Sequence, residues 1–188
     1  MKSATYSIKM KVKLNGVKPE IWRSFVVDSS LSLEDLHDVL QTVMGWANSH
    51  LYIFEINGME YGIPSDEDFN DVTEAKKVKL AKLGLQEKDK FGYTYDFGDD
   101  WVHSIKVEKI LPGQNPYDSP YCLEGARNCP PEDCGSIPGY EDIVAAMKNK
   151  KSKEAKEFIE WLGEPYDPEY FDIEGINKKL KRIKPKKK

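Results

Sequence analysis

The chain has 188 residues, of which 39% are apolar and 32% charged, values that suit one globular domain and exclude disorder throughout. No stretch approaches the ~20 consecutive apolar residues that cross a bilayer, and three cysteines cannot all pair within one chain, so a reducing, cytoplasmic setting is expected. The net charge of −4 hides an asymmetry: residues 178–188 hold eight lysines and arginines and no acid, leaving 20 basic against 32 acidic residues elsewhere, a net −12.

The first residues, Met1-Lys2-Ser3-Ala4-Thr5, lead into alternation and not into an apolar leader block. Tyr6, Ile8, Met10, Val12 and Leu14 alternate with mostly polar neighbours, the period of a half-buried strand. Asn15-Gly16 and Pro19 mark a turn, and Ile21 to Val27 read as a second strand. Ser32 is a good N-cap, with Asp35 three residues on as a near capping box. Leu33, Leu36, Leu40 and Val43 form the apolar stripe of the helix, and Gly45 can end it in a left-handed cap. His37 on that helix reads as a surface residue. Leu51 to Ile56 is a third strand, Asn57-Gly58 a hairpin turn, and Met59 to Ile63 the returning strand. An acidic loop holds Asp66, Glu67, Asp68 and Asp71, and residues 75–86 can hold a short helix.

Phe91, Tyr93, Tyr95 and Phe97 line one face of the next strand. Gly98-Asp99-Asp100 turns the chain, and Trp101, His103, Ile105 and Val107 line a long strand reaching Leu111. Residues 112–140 differ: they carry six of eleven prolines, four glycines and all three cysteines. A structureless stretch of that length is unusual inside a compact domain, so it is expected to be functional, cross-linked or both. Three helical pieces follow, from about Tyr140 to Lys148, after Ser152 as far as Gly163, and after Asp172. The predicted fold is α+β: an antiparallel or mixed sheet of about six strands, with helices packed on it and a long Pro/Gly/Cys-rich loop. Residues 1–177 form one domain with the cysteine-containing loop 112–140 inside it, and residues 178–188 are a basic tail continuing the last helix.

Two constellations can carry chemistry. Cys122, Cys129 and Cys134 offer thiolates for zinc, with His103 as the fourth ligand reaching from the long strand. The competing reading is three free cysteines packed in a loop and a hydrogen-bonded core histidine. The second constellation is the run Tyr95 to Trp101 with Glu132 and Asp133, whose clustered carboxylates can hold a divalent cation or act as acid and base. Turn chemistry competes as the purpose of Asp99 and Asp100, whereas Asp96 sits late in a strand beside large aromatics. Between helix and strand, Asn48 and His50 read as loop-fixing hydrogen-bonders. The candidate functional residues are therefore Asp96, Asp99, Trp101, His50, Glu132 and Asp133, with Cys122, Cys129, Cys134 and His103 as the metal set. No G-x-x-x-x-G-K-[ST], G-x-G-x-x-G or H-E-x-x-H motif is present.

Several pieces occur together: Leu36-His37, Met44-Gly45-Trp46, Ser49-His50-Leu51, Tyr95-Asp96-Phe97-Gly98-Asp99-Asp100-Trp101-Val102-His103, Cys122, Cys129-Pro130-Pro131-Glu132-Asp133-Cys134-Gly135 and Gly139-Tyr140-Glu141. Jointly, over roughly residues 5–180, they resemble the Ri-plasmid (pRiA-type) open-reading-frame-three-like family of plasmids, transposons and prokaryotic chromosomes. The resemblance implies a compact α+β domain and no settled biochemical function. Ser136 stands where a second glycine is usual in that family. Some members carry a resolvase-like label, but a serine recombinase needs several arginines around its phosphodiester transition state. This chain has only Arg23, Arg127 and Arg182 and an acidic body.

The reading these residues favour is a non-enzymatic binding or accessory module linked to mobile elements, with a protein or nucleic-acid partner and no membrane. One alternative is a metal-dependent hydrolase or nuclease using His103, Asp96 and the cysteine loop. The other is a nucleic-acid binder acting through the basic tail, which attracts polyanions while the acidic body repels them.

Overall fold

The structure, a computed structural model, describes residues 6–64, 72–113 and 115–184. Most of the acidic loop and the last four residues of the basic tail lie outside the described residues.

Alternation in β1 (Tyr6–Leu14) buries Ile8, Met10, Val12 and Leu14 and leaves Lys9, Lys11 and Lys13 on the other side. β2 (Trp22–Asp28) pairs with it antiparallel. Helix α1 (Leu33–Met44) starts in a complete capping box: the Ser32 hydroxyl accepts from Asp35 N, and the Asp35 carboxylate accepts from Ser32 N. Gly45, at φ +102°, closes it in the left-handed region, where a side chain is strained. β3 (Tyr52–Ile56) and β4 (Met59–Gly62) form a hairpin through Asn57 and Gly58, both at positive φ. β5 (Thr73–Glu74) follows, and then two single turns of 3-10 helix occupy the stretch with short-helix potential. β6 (Lys90–Tyr95) and β7 (Trp101–Pro112) make the aromatic hairpin. β8 (Tyr121–Ala126) precedes α2 (Ser136–Met147), α3 (Lys153–Leu162) and α4 (Ile173–Leu180).

The described strands form one mixed sheet in the order β5-β4-β3-β6-β7-β1-β2-β8, antiparallel except at the β4–β5 pair. It has eight strands and not about six. Two escape a pattern search for different reasons. β5 is two residues long, and β8 lies inside the Pro/Gly-rich segment, where its backbone hydrogen bonds go to distant β2 (Phe25 opposite Cys122). Residues 112–140 are thus not irregular throughout, since they also contain the start of α2. Pro138 fits that first turn because its missing N–H would have had no partner there.

The core lies between α1 and one face of the sheet, where Leu36, Val39, Leu40 and Val43 meet Ile8, Met10, Phe25, Phe54, Tyr93 and Ile105. Phe97 does not continue the β6 face. The strand ends at Tyr95, Asp96 turns at φ +58°, and Phe97 is 56% exposed. Among the described residues no helix is long and apolar enough to cross a membrane.

Candidate functional site

Three separate stretches of chain meet at one end of the sheet, beyond the start of β3 and the end of β6. The first is the connector after α1. Asn48, at φ +60°, accepts from His37 Nε2 through Oδ1 at 2.7 Å and donates its backbone N–H to Gln41 Oε1 at 3.0 Å. His37 is therefore no surface residue. It is buried, stacked on Tyr52 at 3.6 Å, with its Nδ1 2.8 Å from the Tyr93 hydroxyl. Ser49 N donates to the Tyr95 hydroxyl at 2.9 Å, which delivers the next residue, His50, to the end of β6.

The second stretch is the β6–β7 turn. Asp96 N donates to Leu51 O, one step beyond the β3–β6 ladder, so Asp96 and His50 become neighbours. Asp96 Oδ1 accepts from the backbone N–H of Gly98 and Asp99, leaving Oδ2 to face His50. The third stretch is the cysteine segment after β8. Buried Arg23 reaches from β2 to grip the carbonyls of Ala126 and Arg127 at 2.7 and 2.6 Å, and that of Val43 in α1 at 2.8 Å. Trp46 Nε1 donates to Pro130 O, the Tyr166 hydroxyl donates to Cys129 O, and Gly135 N donates to Asp99 Oδ2. The segment so held projects Glu132 and Asp133.

The result is an imidazole ringed by carboxylates. His50 Nε2 lies 3.0 Å from Asp133 Oδ1, 3.6 Å from Asp96 Oδ2 and 3.9 Å from Glu132 Oε2. Nε2 is buried, yet none of these oxygens is placed to accept a hydrogen bond from it. Glu132 is held from its other oxygen, which accepts from Ala47 N at 2.7 Å and from the Tyr95 hydroxyl at 2.9 Å. Burial and the Glu132 carboxylate together keep that phenol protonated, well above its ordinary pKa.

Among the described residues, His50, Asp96 and Asp133 form the one group of three or more donors close enough to share a cation, their ligand atoms lying within 4.8 Å of one another. Cys122, Cys129, Cys134 and His103 do not assemble in this way. Burial pushes the Cys122 thiol up to about 11 and that of Cys134 up to about 12, and raises Cys129 as well. His103 is 1% exposed, and its Nδ1 lies 3.2 Å from the Tyr93 carbonyl oxygen. A carbonyl only accepts, so Nδ1 carries the proton and donates. Trp101 is buried against Trp46 in the core, while Asp99 ties the hairpin turn to the cysteine segment.

Next to the carboxylate ring opens a cleft of about 570 Å³, whose lining includes Trp46, Pro130, Pro131, Glu132, Tyr166 and Tyr170. Glu132 belongs to both. His50 is a candidate from the sequence, but its neighbours cannot be read there. The local sequence shows a histidine before a strand, and only the pairing of β3 with β6 sets it against Asp96.

A family model described as plasmid pRiA4b ORF-3-like protein matches residues 6–175. The uncharacterized protein y4hQ of Sinorhizobium fredii (strain NBRC 101917 / NGR234) is 37% identical over 173 residues, which cover 91% of this chain and 89% of that protein. The crystal structure of a protein of unknown function, MM3350, from Methanosarcina mazei Go1 superposes with a TM-score of 0.80 at 35% identity, covering 91% of this chain and 97% of that one.

Proposed function

The chain belongs to the plasmid pRiA4b ORF-3-like family, and since neither relative's name states an activity, we propose a function from the geometry of the site: a binding module that works through a divalent cation held by His50, Asp96 and Asp133. One observation carries this reading. The buried His50 Nε2 faces three carboxylates from two other stretches of chain and has none of them as a hydrogen-bond acceptor. Donors at ~2.1 Å from a shared ion stand about 3.0–3.4 Å apart, and the 3.0 and 3.6 Å separations bracket that span. A cation would offset the repulsion of the clustered carboxylates and use the imidazole lone pair. Nitrogen and oxygen donors without thiolate suit Mn²⁺ or Zn²⁺.

The neighbouring cleft gives the module a place for its ligand. Glu132, Glu164 and Asp167 line it, and among the described residues no lysine, arginine or histidine does. A neutral or cationic ligand with an apolar body fits that lining, and a phosphodiester does not, which weighs against a nuclease. A metal-dependent hydrolase remains the second reading. It is favoured by the small number of protein ligands, which leaves positions for water, and by Glu132 beside them. An accessory role alongside mobile elements rests on the family's plasmid name, and a cytoplasmic setting on three unpaired cysteines.

Calorimetric titration of tag-free, metal-stripped protein with Mn²⁺ and Zn²⁺ tests the reading. One site per chain is expected. Affinity should fall at least about tenfold in Asp96→Asn and His50→Ala, in line with the loss of a hydrogen-bonded charge or ligand. Absence of binding, or binding that neither change weakens, overturns it.

A further inference from the structure

The sheet face turned away from α1 carries a feature that does not depend on the cation site. Register sets Lys90 of β6 opposite Lys106 of β7, and Lys106 opposite Lys11 of β1. Adjacent strands lie ~4.8 Å apart, so three ammonium-bearing side chains stand abreast over about 10 Å in the middle of the sheet. Lys9 stands opposite Lys109, and Lys13 follows Lys11 on the same face. Like charges placed directly opposite one another repel. Only part of this repulsion is relieved: Lys9 meets Glu108 at 3.0 Å and Lys13 meets Glu20 at 3.3 Å. Among the described residues no ion pair reaches Lys11, Lys90, Lys106 or Lys109. Lys11 instead lies 3.7 Å over the Trp22 ring. Acids share this face: Glu108 of β7 lies in its middle, where Lys9 and Lys11 both act on its carboxylate, and Glu55, Glu60 and Glu124 stand on the flanking strands.

A chain whose body is strongly acidic thus gathers six lysines on one open sheet face. We propose that this face binds single-stranded nucleic acid, its phosphates crossing the Lys90–Lys106–Lys11 row and a base reaching the Trp22 ring. Lysine binds phosphate as a point charge and needs no fixed fork geometry. A row of lysines beside an aromatic on an exposed sheet is the arrangement that holds a single strand without base-specific hydrogen bonds. The basic tail beyond α4 is a separate feature, and the experiment separates the two.

Fluorescence anisotropy of the full chain with a labelled 20-nucleotide oligothymidine at 50 and 200 mM salt is the test. Binding is expected at low salt, its logarithm falling by about 0.7 per phosphate contact for each tenfold rise in salt. Changing Lys11, Lys90 and Lys106 together to threonine, a good strand former, should weaken binding at least about tenfold at 50 mM salt. The same change should shallow the salt slope by about 2. Lys106→Thr alone, at an exposed position, should show a smaller loss of the same kind and covers misfolding of the triple variant. Deleting residues 185–188 should leave this lysine-dependent part in place. No binding at 50 mM salt, binding indifferent to the three threonines, or binding abolished by the tail deletion alone overturns the proposal. Tighter binding of duplex or of polyglutamate than of the single strand overturns it too.

Discussion

Asp96 shows how one residue can serve both structure and site. At φ +58° it needs a side chain tolerant of the left-handed region, and its Oδ1 closes the turn onto Gly98 and Asp99. Asparagine keeps both properties and removes only the charge, so Asp96→Asn separates cation affinity from folding. His103 has a different, purely internal effect. Burial pushes its pKa down to about 4, below the ~6.5 of an unfolded chain. Between those values the unfolded state takes up a proton that the native state refuses, so stability falls as pH drops from about 6.5 toward 4 and is unaffected above that window. The loss reaches up to about 3 kcal/mol. Urea unfolding at pH 7 and pH 4.5 should show it, and His103→Gln should flatten the difference between the two. An unchanged pH dependence in that variant would mean that His103 is hydrated or paired.

At the scale of elements, the β6–β7 hairpin is the wall on which the site is mounted. Tyr93, Tyr95, Trp101 and His103 are all buried on one face, and Trp46 from the connector packs on three of them. Trp101→Ala should therefore cost roughly 3–5 kcal/mol, as for other large-to-small core changes. Equilibrium denaturation measures it, and a cost under about 1 kcal/mol would contradict the burial described. The cysteine segment lacks a ladder of its own between β8 and α2. It is held by side chains reaching in: Arg23, Trp46, Tyr166 and Asp99 each take one or more of its backbone groups. Arg23 has carbonyl partners and the Phe171 ring at 4.5 Å, and its burial lowers its pKa.

For the whole molecule, the two faces of the sheet divide the work. One face is apolar and covered by α1, and the other presents the lysine rows to solvent. The carboxylate site lies at the end where the α1 connector, the hairpin turn and the cysteine segment converge. A cation there would bind the folded chain and have no comparable site in the unfolded one. At a concentration about 100 times its dissociation constant it should add about 2.7 kcal/mol of stability. A thermal melt with and without Mn²⁺ or Zn²⁺ reads this as a rise in midpoint that chelator reverses. The same additions should leave the midpoint of His50→Ala in place.

The sequence by itself determined what local forces decide. Period-two alternation identifies β1, β6 and β7, Ser32 and Asp35 set the start of α1, Gly45 ends it, and Asn57-Gly58 makes the hairpin. Each depends on sterics or hydrogen bonds spanning a few residues. Asp96, Glu132, Asp133 and His50 were legible as chemistry-bearing residues because carboxylates and imidazoles in turns stand out by type. Which of them meet was decided only by the tertiary structure. β3 pairs with β6 and not only with β4, β2 pairs with β8 across about a hundred residues, and His37 is buried because Asn48 and Tyr93 come to it. Such pairings are selected by the burial of the whole sheet against α1, and no short stretch of sequence holds the information about which distant strand will lie beside it.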